Sequence, residues 1–389
     1  MHDVTVVGGG LAGLVASIEA AERGCAVRLL EAHEQLGGRA RTSDGPFRAN
    51  LGPHALYADG QAWRWLKDHG VLPPVARPPL TGLRFRHGGR IRRTPPAGLA
   101  RALANRRLRA PVDADFRSWA GDRWGSSVAH ALSAAAGVFC FDHDPGRLSA
   151  AFVWPRLLRV SALPPAARYP RGGWSTLVDG LARAARARGV RIETGTRVDR
   201  LPDPPVIVAT ELSAAARLLG DDGLHCEGGY VVCIDLGLEA RRGDPFVVSD
   251  LDEGGWVERF TASDRTLAPA GLELVQAQLG IRPGETADAA GERLERLLDA
   301  SFADWRARTR WRRRQVMARR TGALELPGGT WRDRPAIDQG DGVLLAGDMV
   351  AAEGLLCETS FASAQIAAAA AANSSPALIR AAISPDSAR

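Results

Sequence analysis

The sequence predicts an α/β protein in which a parallel sheet, assembled from three separated stretches of chain, carries an inserted α+β unit of helices and an antiparallel sheet. Three observations predict it. A β-branched run at Val4-Thr5-Val6-Val7 enters the turn Gly8-Gly9-Gly10-Leu11-Ala12-Gly13, and an alanine-rich stretch to Arg23-Gly24 separates it from a second apolar run ending at Glu31. That order is strand, helix, parallel strand. Two short apolar runs far downstream, Val206-Ile207-Val208-Ala209-Thr210 and Val343-Leu344-Leu345-Ala346, read as further strands of the same layer. Between them Tyr230 to Leu236, Phe246 to Ser249, Trp256 to Thr261 and Leu272 to Leu279 are separated by turn residues at the spacing of an antiparallel meander.

The glycines of the first turn have separate mechanical roles. Gly8 permits the tight exit from the strand, Gly10 lets main-chain N–H groups approach a pyrophosphate, and Gly13 lets the helix lie close to the sheet. Leu11 and Ala12 open that helix, and Glu31, followed by Ala32, places a carboxylate where an adenosine ribose would offer its hydroxyls. The pattern is a Rossmann-type dinucleotide fold, and the acid at Glu31 disfavours a 2′-phosphate. Just beyond the second strand, Leu36-Gly37-Gly38-Arg39 brings a guanidinium back towards the pyrophosphate.

Together with the stretches Phe47 to His54, Tyr169-Pro170-Arg171-Gly172-Gly173-Trp174 through Leu177, and Leu344-Leu345-Ala346-Gly347-Asp348, this motif resembles the flavin amine oxidase and phytoene desaturase superfamily. The resemblance implies non-covalent FAD, held by a domain made of residues 1–77, 169–217 and 335–373. Residues 78–168 and 218–334 then form the substrate domain, and 374–389 a tail. It further implies that Gly52, Pro53 and His54 come close to the flavin ring, that main chain near Val198 touches adenine, and that Gly347-Asp348 accepts from ribityl hydroxyls. Gly354, Leu355 and Leu356 would lead into a helix whose N-terminus stabilises negative charge on the reduced ring.

Composition narrows the function classes. The chain has 389 residues, 45% of them hydrophobic, and a net charge of +6; of its 50 basic residues only Lys67 is lysine. This suits a globular protein of two or three domain-sized units with a proper core. The basic excess allows an anionic substrate or a peripheral membrane contact through Arg101, Arg106, Arg107 and Arg109, but no nucleic-acid module is present. The five cysteines lack ligand spacing, so free thiols and no metal are expected. With no charged and apolar leader and no apolar run of ~20 residues, the expected location is cytoplasmic.

Residues 78–168 read as short arginine-laced helices, such as Leu99 to Arg109 and Phe116 to Ala136, and a helix is expected from about Thr286 to Arg306. Phe139, Phe141, Phe152 and Trp154 line an apolar pocket or pack in the core, and Arg310, Arg312, Arg313, Arg314, Arg319 and Arg320 form a basic cluster, solvated or salt-bridged. A single dinucleotide fingerprint leaves no place for a nicotinamide reductant. The expected reaction is therefore hydride removal from a substrate, with electrons passing to oxygen, a quinone or another external acceptor.

Amine oxidases of the resembled group carry a lysine near flavin N5, whereas Lys67 lies outside that region and Leu355 and Leu356 stand where an aromatic cage would. Desaturation of a lipophilic small molecule is therefore the first reading, with His54 and Glu358 as candidate bases. Amine or amino-acid oxidation, flavin-dependent isomerisation or cyclisation, and a non-catalytic flavoprotein are the alternatives. The superfamily's usual Ser-Gly in the last helix is Ser360-Phe361 here, so the ring environment is expected to differ.

Overall fold

The computed structural model describes residues 3–373; the tail expected at 374–389 lies outside them. The glycine turn does what its spacing predicts. Strand Asp3–Val7 pairs in parallel with Ala26–Leu30 across the helix Leu11–Glu22. A five-stranded parallel sheet follows, in the order Val343–Leu345, Val206–Val208, Asp3–Val7, Ala26–Leu30, Arg191–Glu193. Val206–Val208 and Val343–Leu345 are buried on both faces, as continuous Val, Ile and Leu runs require. The final helix, Cys357–Asn373, packs beside Leu11–Glu22 through alanines, and the two share one core with the sheet.

The second sheet has seven strands, in the order Thr309–Ala323, Gly228–Glu239, Leu272–Gly280, Trp256–Arg259, Val247–Asp250, Leu83–His87, Arg90–Arg92. All four strands expected between 228 and 280 are present. The meander is only partial, because the first of them pairs with Leu272–Gly280 rather than with its successor. Three strands of this sheet escape the sequence reading. Leu83–His87 and Arg90–Arg92 form a hairpin inside the stretch expected to be helical, and the first joins Val247–Asp250 in parallel. Thr309–Ala323, expected only as a basic cluster, is a full edge strand. The helix expected to reach Arg306 runs over Ala287–Ser301, capped by Thr286, whose side chain accepts from the Ala289 N–H at 3.2 Å, and a short turn, Trp305–Arg308, follows.

Side-chain alternation gives the second sheet two unlike faces. Val232, Ile234, Leu236, Val257, Val275, Ala277 and Leu279 pack on Leu294, Leu297 and Leu298 of the helix Ala287–Ser301. The opposite face carries the cross-strand row Glu258, Gln276, Asp235 and Arg313 and turns towards the parallel-sheet half. Gln276 Nε2 and Arg313 Nη2 both donate to Asn50 O, at 3.0 and 2.6 Å. The helices Phe116–Trp124, Ser126–Cys140 and Ala150–Val160 make a third core. Phe139, Phe152 and Trp154 are buried there as ordinary packing, and Phe141 closes the helix Ser126–Cys140 with φ 56°. Among the described residues no helix is long and apolar enough to cross a membrane.

Candidate functional site

The site forms where the ends of the parallel strands meet the polar face of the second sheet. Its first wall is the glycine turn. Gly8 has φ +107°, and a Cβ there would lie 2.7 Å from Ala209 O; a Cβ on Gly13 would lie 1.8 Å from Gly8 O. Gly10 is different. Its φ is −74°, open to any residue, and a Cβ on it would meet nothing within 4 Å. The chain's own packing requires glycine at 8 and 13, whereas at 10 it leaves a hollow before the N-terminus of Leu11–Glu22, where Leu11 is partly exposed and Ala12 buried.

Glu31 follows the second strand directly. Its Oε2 accepts from Gly9 N at 2.7 Å, and its Oε1 accepts from His33 N at 2.9 Å. The carboxylate thus shapes the glycine turn from below, while Ala32 beside it is exposed. Thr196 N donates to Glu31 O at 2.8 Å, which brings the loop carrying half-buried Val198 to the same edge.

Gly37 N donates to Gly9 O at 2.7 Å, so the second glycine pair lies against the first turn. A Cβ on Gly38 would sit 3.6 Å from Gly10 Cα. From there Arg39 reaches Asp348 with two parallel bonds of 2.7 Å, and it also donates to Arg320 O. Gly347 is fixed by Ser363 of the final helix: its N–H donates to Ser363 Oγ at 2.9 Å, and that hydroxyl donates back to Gly347 O at 3.0 Å. Gly10, Gly38, Arg39, Gly347 and Asp348 are thus brought together from chain ends more than 300 positions apart.

The segment with Gly52, Pro53 and His54 is held by a lock the sequence did not disclose. Asn50 Oδ1 accepts from Trp174 N and from Thr42 Oγ1, each at 3.0 Å. Thr42 and Ser175 exchange bonds of 2.8 and 3.0 Å. The stretches Phe47 to His54 and Tyr169 to Leu177 therefore meet. Gly52 has φ +102°, and its carbonyl accepts from His54 Nδ1 at 2.8 Å. A carbonyl only accepts, so Nδ1 carries the proton and Nε2 the lone pair. Burial lowers the His54 pKa; the Gly52 carbonyl opposes this, the Arg39 charge adds to it, and a contact with the Arg39 main chain opposes it. The imidazole is neutral at pH 7.

Glu358 is placed differently from a free base. Both oxygens are taken by Arg159, at 3.0 and 2.7 Å, and Oε2 also accepts from Leu355 N at 3.1 Å. It anchors the start of the final helix, and no oxygen faces a substrate unshared. Arg159 comes from the helix Ala150–Val160 and also holds Asp59. An arginine in an arginine-rich insertion carries no signal that would have singled it out. Gly354 has φ +154°, and a Cβ there would lie 2.6 Å from Thr359 N. Leu355 is buried and Leu356 half-buried. Burial pushes the Cys357 thiol up to about 12, so it stays protonated. Phe361, expected to alter the ring environment, is fully buried and packs edge-on to Trp65 with centroids 5.4 Å apart. Its ring therefore points into the core.

Residues 6–68 match the family of NAD(P)-binding Rossmann-like domains. Carotenoid 3,4-desaturase of Haloarcula japonica is 56% identical over 53 residues, and that match spans 13% of this chain and 11% of the desaturase. An oxidoreductase from Methanosarcina mazei is similar over 94% of this chain and 99% of its own, with TM-score 0.77 and 16% identity. Cyclohexylamine oxidase from Brevibacterium oxydans is similar over 95% and 98%, with TM-score 0.70 and 16% identity. The chain has the fold of the Methanosarcina mazei oxidoreductase and of cyclohexylamine oxidase, as its resemblance to the flavin amine oxidase and phytoene desaturase superfamily predicts, with the NAD(P)-binding Rossmann-like match at residues 6–68.

Proposed function

We propose that the protein is an FAD-dependent oxidoreductase that dehydrogenates a largely apolar small molecule, with electrons leaving to oxygen, a quinone or another external acceptor. The observation that carries the reading is the hollow at Gly10. Neither backbone conformation nor packing demands glycine there, yet the position lies at a helix N-terminus and beside the turn that leads through Gly38 to Arg39, surroundings that suit a pyrophosphate. Bound FAD would supply a hydride acceptor at N5.

The chain's own groups divide the remaining work. Main-chain N–H groups from Leu11 onward and Arg39 would hold the diphosphate, and Glu31 the ribose. Asp348 would hold the ribityl chain, because each of its oxygens keeps a lone pair beyond its Arg39 bond. The N-terminus of Cys357–Asn373 would stabilise developing negative charge. His54, neutral, would receive the proton, whereas both oxygens of Glu358 are engaged by Arg159.

Amine oxidation is the second reading, favoured by the likeness to cyclohexylamine oxidase. Against it, Lys67 is exposed on the helix Gln61–Asp68, and Leu355 and Leu356 lead into the final helix. The test is anaerobic mixing of the FAD-loaded protein with apolar polyenes and with amines. Flavin bleaching with a new C=C bond supports desaturation, and bleaching by amines alone replaces it. Glu31→Ala and Arg39→Ala should weaken FAD retention. His54→Ala should keep FAD and lower turnover at least about tenfold; loss of FAD in that variant would remove His54 from the proton-accepting role.

A further inference from the structure

The helix Ala150–Val160 carries two arginines one turn apart, Arg156 and Arg159, with opposite circumstances. Arg159 is fully engaged by Glu358 and Asp59. Arg156 has no carboxylate within 4.0 Å among the described residues; its one hydrogen bond runs from Nη1 to Phe152 O at 2.7 Å, one turn back in its own helix. Its guanidinium lies over the Phe152 ring, with Cζ 3.6 Å from the centroid. That contact fixes the plane of the fork and leaves its other N–H groups without a protein acceptor.

Charge balance around Arg156 offers no relief. The charged groups close enough to influence it are Glu325, Arg334 and Glu358. Glu325 is bound by Arg334 at 2.6 Å, and Glu358 is bound by Arg159. Arg156 keeps some water-reachable surface, yet burial pushes it down to about 10, against the usual arginine value. Glu358, joined to Arg159 one turn beyond Arg156, starts the helix that Cys357 opens. Arg156 therefore lies one helical turn from the ion pair that anchors the start of the final helix, on the inserted helices.

We propose that Arg156 recognises a carboxylate on the substrate, which is then a molecule with an apolar body and an acidic end. The flat guanidinium, oriented by Phe152, suits two parallel N–H···O bonds to such a group. A desolvated cation without a partner is costly, and an incoming carboxylate offsets that cost. The inference rests on the proposed FAD oxidoreductase activity, with the space before Arg156 assigned to its substrate.

The test uses decanoate, below its micelle concentration, and its methyl ester as a neutral match. Binding to the FAD-loaded full chain is followed by calorimetry and by flavin absorbance. Decanoate is expected to bind at least about tenfold more tightly than the ester, and Arg156→Met to remove that preference with FAD content unchanged. Arg156→Lys should retain part of it, as a point charge without the fork. Arg156→Gln repeats the test should the methionine variant not fold. Equal affinity for acid and ester, no decanoate binding at all, or unaltered decanoate binding in the variants would overturn the proposal. Arg156-dependent decanoate binding by a chain that takes up no FAD would overturn the oxidoreductase reading alone. A yellow protein indifferent to the probe's charge would overturn only the role of Arg156.

Discussion

Glu258 is 5% exposed in the middle of the polar sheet face. Its Oε2 accepts from Trp256 Nε1 at 3.2 Å, while Oε1 has no partner; directly across the strand pair, Gln276 Oε1 has none either. Two buried acceptors side by side favour the protonated acid. Burial pushes the carboxyl up to about 7, against contacts from Tyr169 and Trp256 that pull it down. Raised in the folded state, the group contributes stability that is fully present below its unfolded value near 4.5 and lost as pH rises through about 7. The span corresponds to roughly 3 kcal/mol. Glu258→Gln, compared with the parent by urea denaturation at pH 5 and pH 8, should gain relative stability at the higher pH. His54 acts in the opposite sense, losing stability as pH falls below its ordinary value, so only the difference between the two proteins isolates Glu258. A gap that stays constant between the two pH values would refute the assignment. None of this was legible in the sequence, because a glutamate at a strand position reads as solvent-facing until the partner sheet face is known.

At the scale of elements, legibility followed the match between pattern and period. The strand Asp3–Val7, the helix Leu11–Glu22 and the strand Val206–Val208 were plain because local propensity and burial agree in them. The strand Thr309–Ala323 was hidden because its inward positions include Arg313 and Gln315, which reach buried Asp235, so apolar alternation fails on the side that faces protein. Its outward arginines are tied to Glu239, Glu295 and Asp288. The start of the final helix shows the same limit: Glu358 was visible, but its partner Arg159 lies 199 positions away. Arg159→Met should leave a nearly buried carboxylate unpaired and cost about 3 kcal/mol, somewhat less in so far as the Asp59 side is open to water. Adding Glu358→Gln to it should restore most of the loss, because no charge is then stranded. Thermal melts of both variants decide this; a double variant as unstable as the single would show that the pair does not act through charge.

Across the whole molecule, the glycine motif announced the cradle, yet its other half, Asp348, is delivered by the far end of the chain, where Ser363 fixes its neighbour Gly347. A ligand lying across these groups would join segments that only the complete fold brings together, so its binding free energy would add to global stability rather than to one loop. At a concentration about 100 times its dissociation constant, FAD should raise unfolding stability by about 2.7 kcal/mol. Gly10→Val separates this from any effect on the protein alone. The backbone at Gly10, φ −74°, accepts valine, and a Cβ there meets nothing within 4 Å, so the melt without FAD should match that of the parent. The branched side chain would occupy the hollow before the helix N-terminus, so added FAD should no longer shift the melt. Equal stabilisation of both proteins by FAD would show that the diphosphate does not pass Gly10, and the reading of the site would have to be rebuilt around another wall of the cleft.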